Sequence, residues 1–248
     1  MSEADAKSPS TPPAVASVPV QVVKLPPPAA TPTGAMLRTL GLVSAICGLI
    51  IVGAYQSTLD AVAANKRLAQ ERSVFKVIPA AKSIAEFQAS AGGGIEPARS
   101  GEAPAGASRF FAAYDEAGQL VGVAAEGGAK GYADTVRIMF GYDPGRQVIS
   151  GIGVVAMRET PGIGDKIISN KEFQENFAAL DARLTADLAA LANEIKTVKH
   201  GTKTKDWQID AIAGATITSR AVGRAINDTA QVLLPRLVPH LDKIGSKP

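Results

Sequence analysis

The feature that most constrains this chain is an uncharged apolar run, Thr39–Tyr55, near the start of a 248-residue sequence. At about 1.5 Å of rise per residue, a helix of this length reaches the lower limit for crossing the hydrocarbon core of a bilayer. The run lacks the polar face of a helix that packs on a soluble core, and Arg38 before it can reach the interface with its long side chain. The sequence therefore predicts one transmembrane helix over 35–56.

A cleaved signal peptide is the alternative interpretation, because Ala61-Val62-Ala63 has the small-x-small pattern of a cleavage site. That site lies several residues beyond the apolar run, which favours a retained anchor. Basic residues are about balanced on the two sides of the run, so the positive-inside rule does not set its orientation. Residues 1–34 hold 8 of the 16 prolines and are predicted to form a disordered tail.

Composition excludes several kinds of chemistry. The single cysteine, Cys47, excludes an internal disulfide and any site that needs four cysteine ligands. Two histidines, His200 and His240, are too few for most histidine-built metal sites, so no metal site is expected. The net charge of +3 is scattered along the chain and lacks the clustered basic face of a nucleic-acid-binding protein. No nucleic-acid partner is expected.

The rest of the chain predicts an α+β fold. A stalk helix continues the membrane helix to about Val77, Pro79 ends it, and a short helix over 84–91 and a loop over 92–108 follow. Four strands come next, at 110–114, 120–125, 135–142 and 148–156. The remaining elements are a helix at 171–192, a strand at 207–212 and a helix at 216–234 that Pro235 stops. Hairpins followed by helices indicate antiparallel strands with packed helices in a domain over 109–248, preceded by a stalk and loop over 57–108.

The first of two glycine-bearing motifs is Glu159-Thr160-Pro161-Gly162-Ile163-Gly164, directly after a predicted strand. Pro161-Gly162 suits the central positions of a type II turn, since glycine accepts the positive φ required there. Gly164 removes a second side chain, so a flat group could approach the backbone closely. The spacing is not that of a phosphate-binding P-loop. Taken alone, the pattern is typical of a plain turn.

The second motif, Asp210–Ser219, reads Asp-Ala-Ile-Ala-Gly-Ala-Thr-Ile-Thr-Ser. Small residues end a strand, and hydroxyl-bearing residues open a helix whose first N–H groups attract anions such as phosphate. The plainer interpretation makes Thr216 an N-cap hydroxyl and Asp210 a turn residue. A hydrolase that uses Thr216, Thr218 or Ser219 as nucleophile is a further alternative, although neither histidine has an evident acid partner.

Together the two motifs resemble those of covalent FMN-binding domains. Residues Asp210–Thr218 are similar to the flavinylation motif of that family, D-x-x-(S/T)-G-A-(T/S)-x-T, and Glu159–Gly164 is similar to its ETPGLG element. The resemblance implies that Thr218 is joined to FMN by a phosphoester, made by a separate flavin transferase from FAD with a divalent metal ion. Ala213 stands where the family has Ser or Thr, and the lost hydroxyl could remove one hydrogen bond, worth about 1 kcal/mol.

The resemblance also implies roles for the other motif residues. Asp210 would position the motif or assist its modification. The phosphate end of FMN would be shaped by Gly214, Ala215 and Thr216. The ring or ribityl chain would be bounded by Glu159, Thr160, Gly162 and Gly164.

At the level of whole proteins, the chain is similar to the G subunits of Rnf complexes, which pass electrons between ferredoxin and NAD(H) and move sodium ions or protons. The C subunits of sodium-pumping NADH:quinone oxidoreductases are the alternative within the family. Either resemblance implies an electron-transfer subunit of the cytoplasmic membrane, with one span and its C-terminal domain on the extracytoplasmic side. Its partners would be membrane and iron–sulfur subunits, the flavin transferase and membrane lipid. A cofactor-free membrane-anchored binding module remains the alternative from another class.

Overall fold

The computed structural model describes residues 32–98 and 104–247. Almost all of the predicted tail over 1–34 lies outside these residues. The chain forms two units, one that ends at Ser57 and one that begins at Thr58. The second unit contains both glycine-bearing motifs.

A single helix, α1, runs from Thr33 to Val77 without interruption, so one helix covers both the predicted transmembrane segment and the helical segment predicted to follow it. Its best 18-residue window has a mean hydropathy of 2.1, and the helix is long and apolar enough to cross a membrane. It passes through Ala61-Val62-Ala63 as regular helix. The helix ends two residues before Pro79, because proline disfavours helical backbone in the residue that precedes it.

The second unit is built on an antiparallel sheet of seven strands in the order β2-β1-β3-β4-β5-β6-β7. These strands are β1 (Ser83–Ala89), β2 (Ile95–Pro97), β3 (Ser108–Tyr114), β4 (Leu120–Lys130), β5 (Thr135–Asp143), β6 (Val148–Ala156) and β7 (Leu180–Asp181). A separate parallel pair consists of β8 (Lys196–Val198) and β9 (Gln208–Asp210). The helices are α2 (Lys166–Ser169), α3 (Lys171–Glu175) and α4 (Thr216–Leu237), followed by a 3-10 helix (Val238–Ile244).

Alternate side chains of the sheet enter two different cores, as the two-residue period of a strand requires. On β5, Ile138 and Phe140 lie in the larger core, which α4 covers, whereas Met139 between them lies in the smaller one. The smaller core receives Val74 and Val77 from the last turn of α1. The sheet is therefore covered on one face by α4 and on the other by the end of the stalk.

The predicted helix over 84–91 is wrong, because this segment forms β1. All seven residues of β1 pair with β3, from Ser83 opposite Tyr114 to Ala89 opposite Ser108. Ala85, Phe87 and Ala89 pack on the larger core at a spacing of two, which is the strand period. The predicted loop over 92–108 contains the short strand β2, and β4 extends five residues beyond its predicted end.

The predicted helix over 171–192 is also wrong beyond its first turn. Asn170 caps α3 by accepting a hydrogen bond from the Phe173 N–H at 2.8 Å, and the helix ends at Glu175. The chain then becomes extended because it pairs with the edge of the sheet, where Leu180 lies opposite Ile149 of β6. Phe173, Phe177 and Leu180, at spacings of four and three, are buried, but they lie on a short helix, the turn after it and an extended strand rather than on one long helix.

Three other differences concern the C-terminal elements. The strand β8 was not predicted, and β9 is shorter than the predicted strand over 207–212. Helix α4 begins at Thr216 as predicted but continues past Pro235 to Leu237. Pro235 removes one N–H donor from the last turn, and the buried Leu233, Leu234 and Leu237 hold that turn on the core.

Tyr142 in β5 supplies a prediction about alkaline pH. Burial raises the pKa of its phenol to about 12, with the neighbouring Asp143 carboxylate as a second cause. Its hydroxyl is buried without a hydrogen-bond partner among the described residues. A raised pKa means that this group contributes stability fully below pH 10 and loses that contribution as the pH rises toward 12.

Tyr142→Phe should therefore weaken the loss of stability between pH 10 and 12 and should not lower the free energy of unfolding at pH 7, since no hydrogen bond is lost. Urea unfolding of the full chain in detergent, followed by the fluorescence of the single tryptophan, Trp207, measures both. A steeper alkaline loss in the variant than in the wild type would contradict this.

Candidate cofactor site

The fold brings the two glycine-bearing motifs into direct contact. The Thr218 hydroxyl, in the first turn of α4, donates a 2.9 Å hydrogen bond to Oε2 of Glu159. These residues are 59 positions apart in the sequence. Thr218 is 2% exposed, and Glu159 is partly buried beside it. The carboxylate thus lies directly on the oxygen that the resemblance marks for modification.

The second carboxylate oxygen of Glu159 holds the turn between β4 and β5. Oε1 accepts hydrogen bonds from the N–H groups of Ala133 at 3.2 Å and Asp134 at 3.5 Å. Two glycines make room for this arrangement. A Cβ at Gly131 would collide with Glu159 Oε1, and a Cβ at Gly164 would lie 2.5 Å from Glu159 Cβ. Glu159 therefore joins three segments: the first motif, the turn at 131–134 and the start of α4.

The predicted type II turn at Pro161-Gly162 is confirmed. The Ile163 N–H donates to the Thr160 carbonyl at 3.1 Å, and Gly162 has a φ of +77°. A Cβ at Gly162 would meet nothing within 4 Å, so the space in front of this turn is open. Glycine is needed here for the backbone conformation rather than for packing.

The start of α4 presents backbone N–H donors that the helix itself does not use. Ala215 is the N-cap residue and makes no side-chain cap, so Thr216 is not the N-cap hydroxyl that the plainer interpretation expected. Gly214 before it has a φ of +82°, and a Cβ there would meet nothing within 4 Å. The first turn contains no acidic residue. The first N–H groups of a helix favour an anion.

The side chain of the adjacent Ser219 has a structural role. Its hydroxyl donates to the Ala215 carbonyl at 2.9 Å and accepts from the Ile212 N–H at 3.1 Å, and the residue is 0% exposed. Ser219 therefore closes the loop that precedes α4. The hydroxyls of Thr218 and Ser219 thus bond to a carboxylate and to backbone groups, which is not the serine–histidine pairing of a hydrolase.

Asp210 closes the loop between β8 and β9. Its two carboxylate oxygens accept from the Gly201 N–H at 2.8 and 3.1 Å, and Oδ2 lies 3.3 Å from Nδ1 of His200. The His200 Nδ1 is also 3.0 Å from the Ala211 carbonyl. These contacts fix the backbone on which the second motif begins. Asp210 thus has the turn contacts that the plainer interpretation gave it, and they also place it where it can position the motif.

Asn176 is a site-building residue that the motifs did not reveal. Its side chain is 6% exposed and bonds to both backbone groups of Asp210, accepting from the N–H at 3.0 Å and donating to the carbonyl at 3.3 Å. It also donates to the Phe173 carbonyl at 3.1 Å and accepts from the Lys203 Nζ at 3.1 Å. The only sequence signal was an asparagine inside an apolar pattern, which is a poor helix-interior residue.

The Asn176 contacts lead to a prediction. Asn176→Ala leaves two backbone groups of Asp210 without these partners, so we expect the free energy of unfolding to fall by about 1–3 kcal/mol. Urea unfolding of the full chain measures the change. Asn227→Ala is the matched control, because the Asn227 side chain bonds to one backbone group, the Ile195 N–H at 3.1 Å, and otherwise only to the exposed Asp228 side chain at 3.2 Å, away from the second motif. An equal decrease in the free energy of unfolding in the two variants would contradict the larger role given to Asn176.

The basic stretch before the second motif is mostly exposed. Lys196, Lys199, Lys203 and Lys205 are exposed, and Lys205 lies over the ring of Trp207 at 5.9 Å from its centroid. Trp207 itself is partly buried. This loop wraps Asp210 through His200 and Gly201. A cavity of about 260 Å³ lies beside the motif and is lined by Lys166, His200 and Asp210 among others.

The residues present fit an FMN phosphate attached at Thr218. The attachment oxygen lies beside the N–H groups that open α4, and glycines at 162 and 214 leave open space in front of the backbone. A phosphate in this place would be stabilised by the helix N-terminus. One contact must change. An esterified Thr218 oxygen carries no hydrogen, so Glu159 would lose this bond.

Comparison with known proteins agrees with this site. Residues 131–231, which span the turn at 131–134, both motifs and most of α4, match the model of the FMN-binding domain family. The chain is 34% identical over 116 residues to the G subunit of the Na(+)-translocating ferredoxin:NAD(+) oxidoreductase complex of Acetobacterium woodii, covering 46% of this chain and 50% of that protein. It is 27% identical over 200 residues to the G subunit of the ion-translocating oxidoreductase complex of Haemophilus influenzae, covering 79% and 87%.

Solved structures give the same fold. NqrC of Shewanella oneidensis superposes with a TM-score of 0.55 at 19% identity, covering 73% of this chain and 98% of that one. The C subunit of the Na(+)-translocating NADH-quinone reductase of Parabacteroides distasonis gives 0.55 at 17%, covering 77% and 98%. At these identities the likeness concerns the fold alone.

Fold and site together define the class: residues 131–231 match the FMN-binding domain family, in a chain that also contains a helix long and apolar enough to span a membrane. By sequence the chain is a relative of the G subunits of ion-translocating oxidoreductase complexes. It spans about half the length of the first relatives that it matches.

Proposed function

We propose that this chain is the membrane-anchored, electron-transferring G subunit of an ion-translocating ferredoxin:NAD oxidoreductase complex, with FMN joined by a phosphoester to Thr218. The observation that carries the proposal is the contact between the Thr218 hydroxyl and Glu159, which joins the two motifs into one site. The family match over 131–231 covers both partners of that contact. The relatives' names supply the complex.

Each motif residue has a defined task in this proposal. Thr218 supplies the oxygen of the ester, and the N–H groups at the start of α4 bind the phosphate oxygens. Gly214 and Ala215 leave that backbone uncovered, and Asp210 fixes the loop that leads to it. Glu159, Thr160, Gly162 and Gly164 bound the ribityl chain or the ring. Ala213 is exposed, so the absence of the Ser or Thr side chain usual at this position leaves no cavity in the core.

When bound, FMN supplies a carrier that accepts one electron or two and can therefore relay between different redox partners. The chain's residues hold the cofactor and set its surroundings. A covalent ester removes the dissociation equilibrium through which an exposed carrier would lose a weakly held cofactor. This matters most for a domain on the extracytoplasmic side of the membrane, which is where we place residues 58–248, with the apolar part of α1 before Thr58 as a single-pass anchor in the lipid.

The proposal includes partners that the chain cannot do without. A flavin transferase with a divalent metal ion would make the ester from FAD: the Thr218 oxygen takes the place of AMP on the FMN phosphate, and AMP leaves with the hydroxyl proton. Membrane and iron–sulfur subunits of the complex must deliver and remove the electrons. The chain is therefore a redox subunit of an oxidoreductase rather than an enzyme by itself.

The C subunit of a sodium-pumping NADH:quinone oxidoreductase is the second candidate, since solved C subunits share the fold. Sequence favours the G subunit, because identity to G subunits reaches 34% in the A. woodii protein and identity to these solved C subunits is 17–19%. The hydrolase alternative loses support from the contacts of Thr218 and Ser219.

Co-expression of the full chain with an active flavin transferase tests the proposal. After denaturation, the band should fluoresce under ultraviolet light, and the intact mass should rise by the mass of one FMN less one water. A dark band of unchanged mass, beside a second substrate that the same transferase has labelled, would leave a cofactor-free membrane-anchored binding module as the better interpretation.

A further inference from the structure

Strand β4 continues beyond the end of one of the two strands that flank it. Its pairing with β3 ends where Phe110 lies opposite Ala125, but its pairing with β5 continues for five more residues, to Lys130 opposite Thr135. The last part of β4 therefore lies at an edge of the sheet, although its first part is a central strand. A strand edge offers unpaired N–H and C=O groups to an extended chain beside it. We call residues 127–130 the β4 edge.

The β4 edge has free backbone groups at Gly128. Backbone groups of successive residues in an antiparallel strand point alternately to its two sides. The 2.8 Å bond from the Gly131 N–H to the Asp134 carbonyl fixes this alternation, so the groups of Gly128 and Lys130 point away from β5. Arg224 reaches the Lys130 carbonyl from that side, at 2.7 Å. Gly128 is exposed, and in the described part of the chain no residue on that side bonds to its backbone.

A groove of about 1020 Å³ lies beside the β4 edge. One wall is formed by residues 60–70 of α1, the other by residues 228–232 of α4, and Ser108 at the start of β3 lies at one end. Gly127 and Gly128 line the groove without side chains. The α4 wall begins ten residues after Thr218, about 15 Å along the helix, so the groove is separate from the attachment site.

The two walls differ in chemistry. A strand beside β4 would point its side chains alternately toward α4 and toward α1. The α4 wall includes Val232, whose side chain is 44% exposed. The α1 wall has two exposed cations, Lys66 and Arg67, without an ion-pair partner among the described residues, and they outnumber the carboxylate of Asp60. The other charged groups on that side are already paired, Arg109 with Glu86 and Arg137 with Glu126.

We propose that the β4 edge binds an extended segment of a partner protein as an additional strand, with apolar side chains toward α4 and carboxylates toward Lys66 and Arg67. In this mode of recognition, backbone hydrogen bonds supply affinity and alternate side chains supply specificity. The inference rests on the proposed function, because a subunit of a larger complex has such partners. An added strand would also hold α4, which carries Thr218, in a fixed position relative to the partner.

Hydrogen exchange at the Gly128 amide tests this inference. The complex is purified through a tag on this chain from the membranes of the organism that carries it, and the isolated full chain in detergent is the reference. The Gly128 N–H should exchange about tenfold or more slowly in the complex than in the isolated chain, since it gains an acceptor only there. The amides of Gly127 and Ala129 point toward β5 and should change little. Mass spectrometry with fragmentation to single residues separates the three.

Gly128→Pro removes the N–H on the free side and leaves the bonds to β5 in place, and edge strands tolerate proline. We expect severalfold less of this variant to be recovered in the complex than of the wild type, at equal covalent FMN. Gly128→Ala is the matched control, because it keeps the N–H and adds a Cβ in ordinary contact with Arg137. Its recovery should equal that of the wild type. Equal recovery of the proline variant would contradict the inference.

Equal exchange at Gly128 in the complex and in the isolated chain overturns the inference and leaves the proposed function standing when FMN is present on Thr218. Slow exchange already present in the isolated monomer would assign the β4 edge to a segment of this chain. Slow exchange that develops as the isolated chain is concentrated would assign it to a second copy. Either result also overturns the inference. A chain that purifies alone and without covalent FMN defeats the proposed function, and the inference with it.

Discussion

Thr218→Val should abolish the flavin fluorescence of the denatured band while Thr216→Val keeps it. Valine has nearly the shape of threonine but no hydroxyl, so the variant retains the packing of a residue that is 2% exposed and loses the oxygen that would form the ester. The expected effect on covalent FMN is complete loss, since no other oxygen can take this place without moving α4. Removing the bond to Glu159 should lower the stability of the unloaded chain by only about 1–2 kcal/mol.

The Thr216→Val control distinguishes the loss of the attachment oxygen from a distortion of the first turn of α4. Thr216 lies in the same first turn and is partly buried, so its valine variant perturbs α4 to a similar degree. Fluorescence in Thr218→Val together with a dark Thr216→Val would move the attachment to Thr216. Intact mass measured on the same samples reports one FMN or none per chain and excludes noncovalent flavin.

Four of the seven strands, β3 to β6, were predictable, because their signal is local. The strands from 110 to 156 alternate apolar side chains between two cores, and turn residues separate them. The predictions for 84–91 and for 171–192 were wrong for one reason. In each segment, the helical or extended choice is made by pairing with a distant strand, β3 for the first and β6 for the second. Periodicity within the segment carries no information about that partner.

Some features of the site could likewise be predicted from the sequence, and others could not. The spacing of each motif and the need for a positive φ at Gly162 could be read from the sequence, whereas the positive φ at Gly214 was not predicted. The bond between Glu159 and Thr218 could not, because it spans 59 positions and depends on how α4 lies on the sheet. Asn176 was hidden for a similar reason, since its five side-chain hydrogen bonds go to α3, β9 and the loop between β8 and β9.

The position of α4 on the sheet leads to the second prediction of large effect, that Gly127→Ala destabilises the chain and Gly128→Ala does not. A Cβ at Gly127 of β4 would collide with the Ala225 carbonyl oxygen of α4 and would lie 2.6 Å from Thr229 Oγ1. Helix backbone cannot move aside as a flexible side chain can, so α4 would have to shift away from the sheet. At Gly128, which faces the opposite side, a Cβ would lie 3.5 Å from Arg137 Cγ in ordinary contact.

We expect Gly127→Ala to lower the free energy of unfolding by about 1–3 kcal/mol and Gly128→Ala to change it by less than about 0.5 kcal/mol, measured by urea unfolding through Trp207 fluorescence. Because α4 presents Thr218 to Glu159, the Gly127 variant should also accept less FMN than the Gly128 variant when both are co-expressed with the transferase. Equal stability in the two variants would show that α4 can move on the sheet without cost. Reduced stability with unchanged flavin content would instead show that Thr218 is positioned by Glu159 and its own helix turn, independently of how α4 packs against β4.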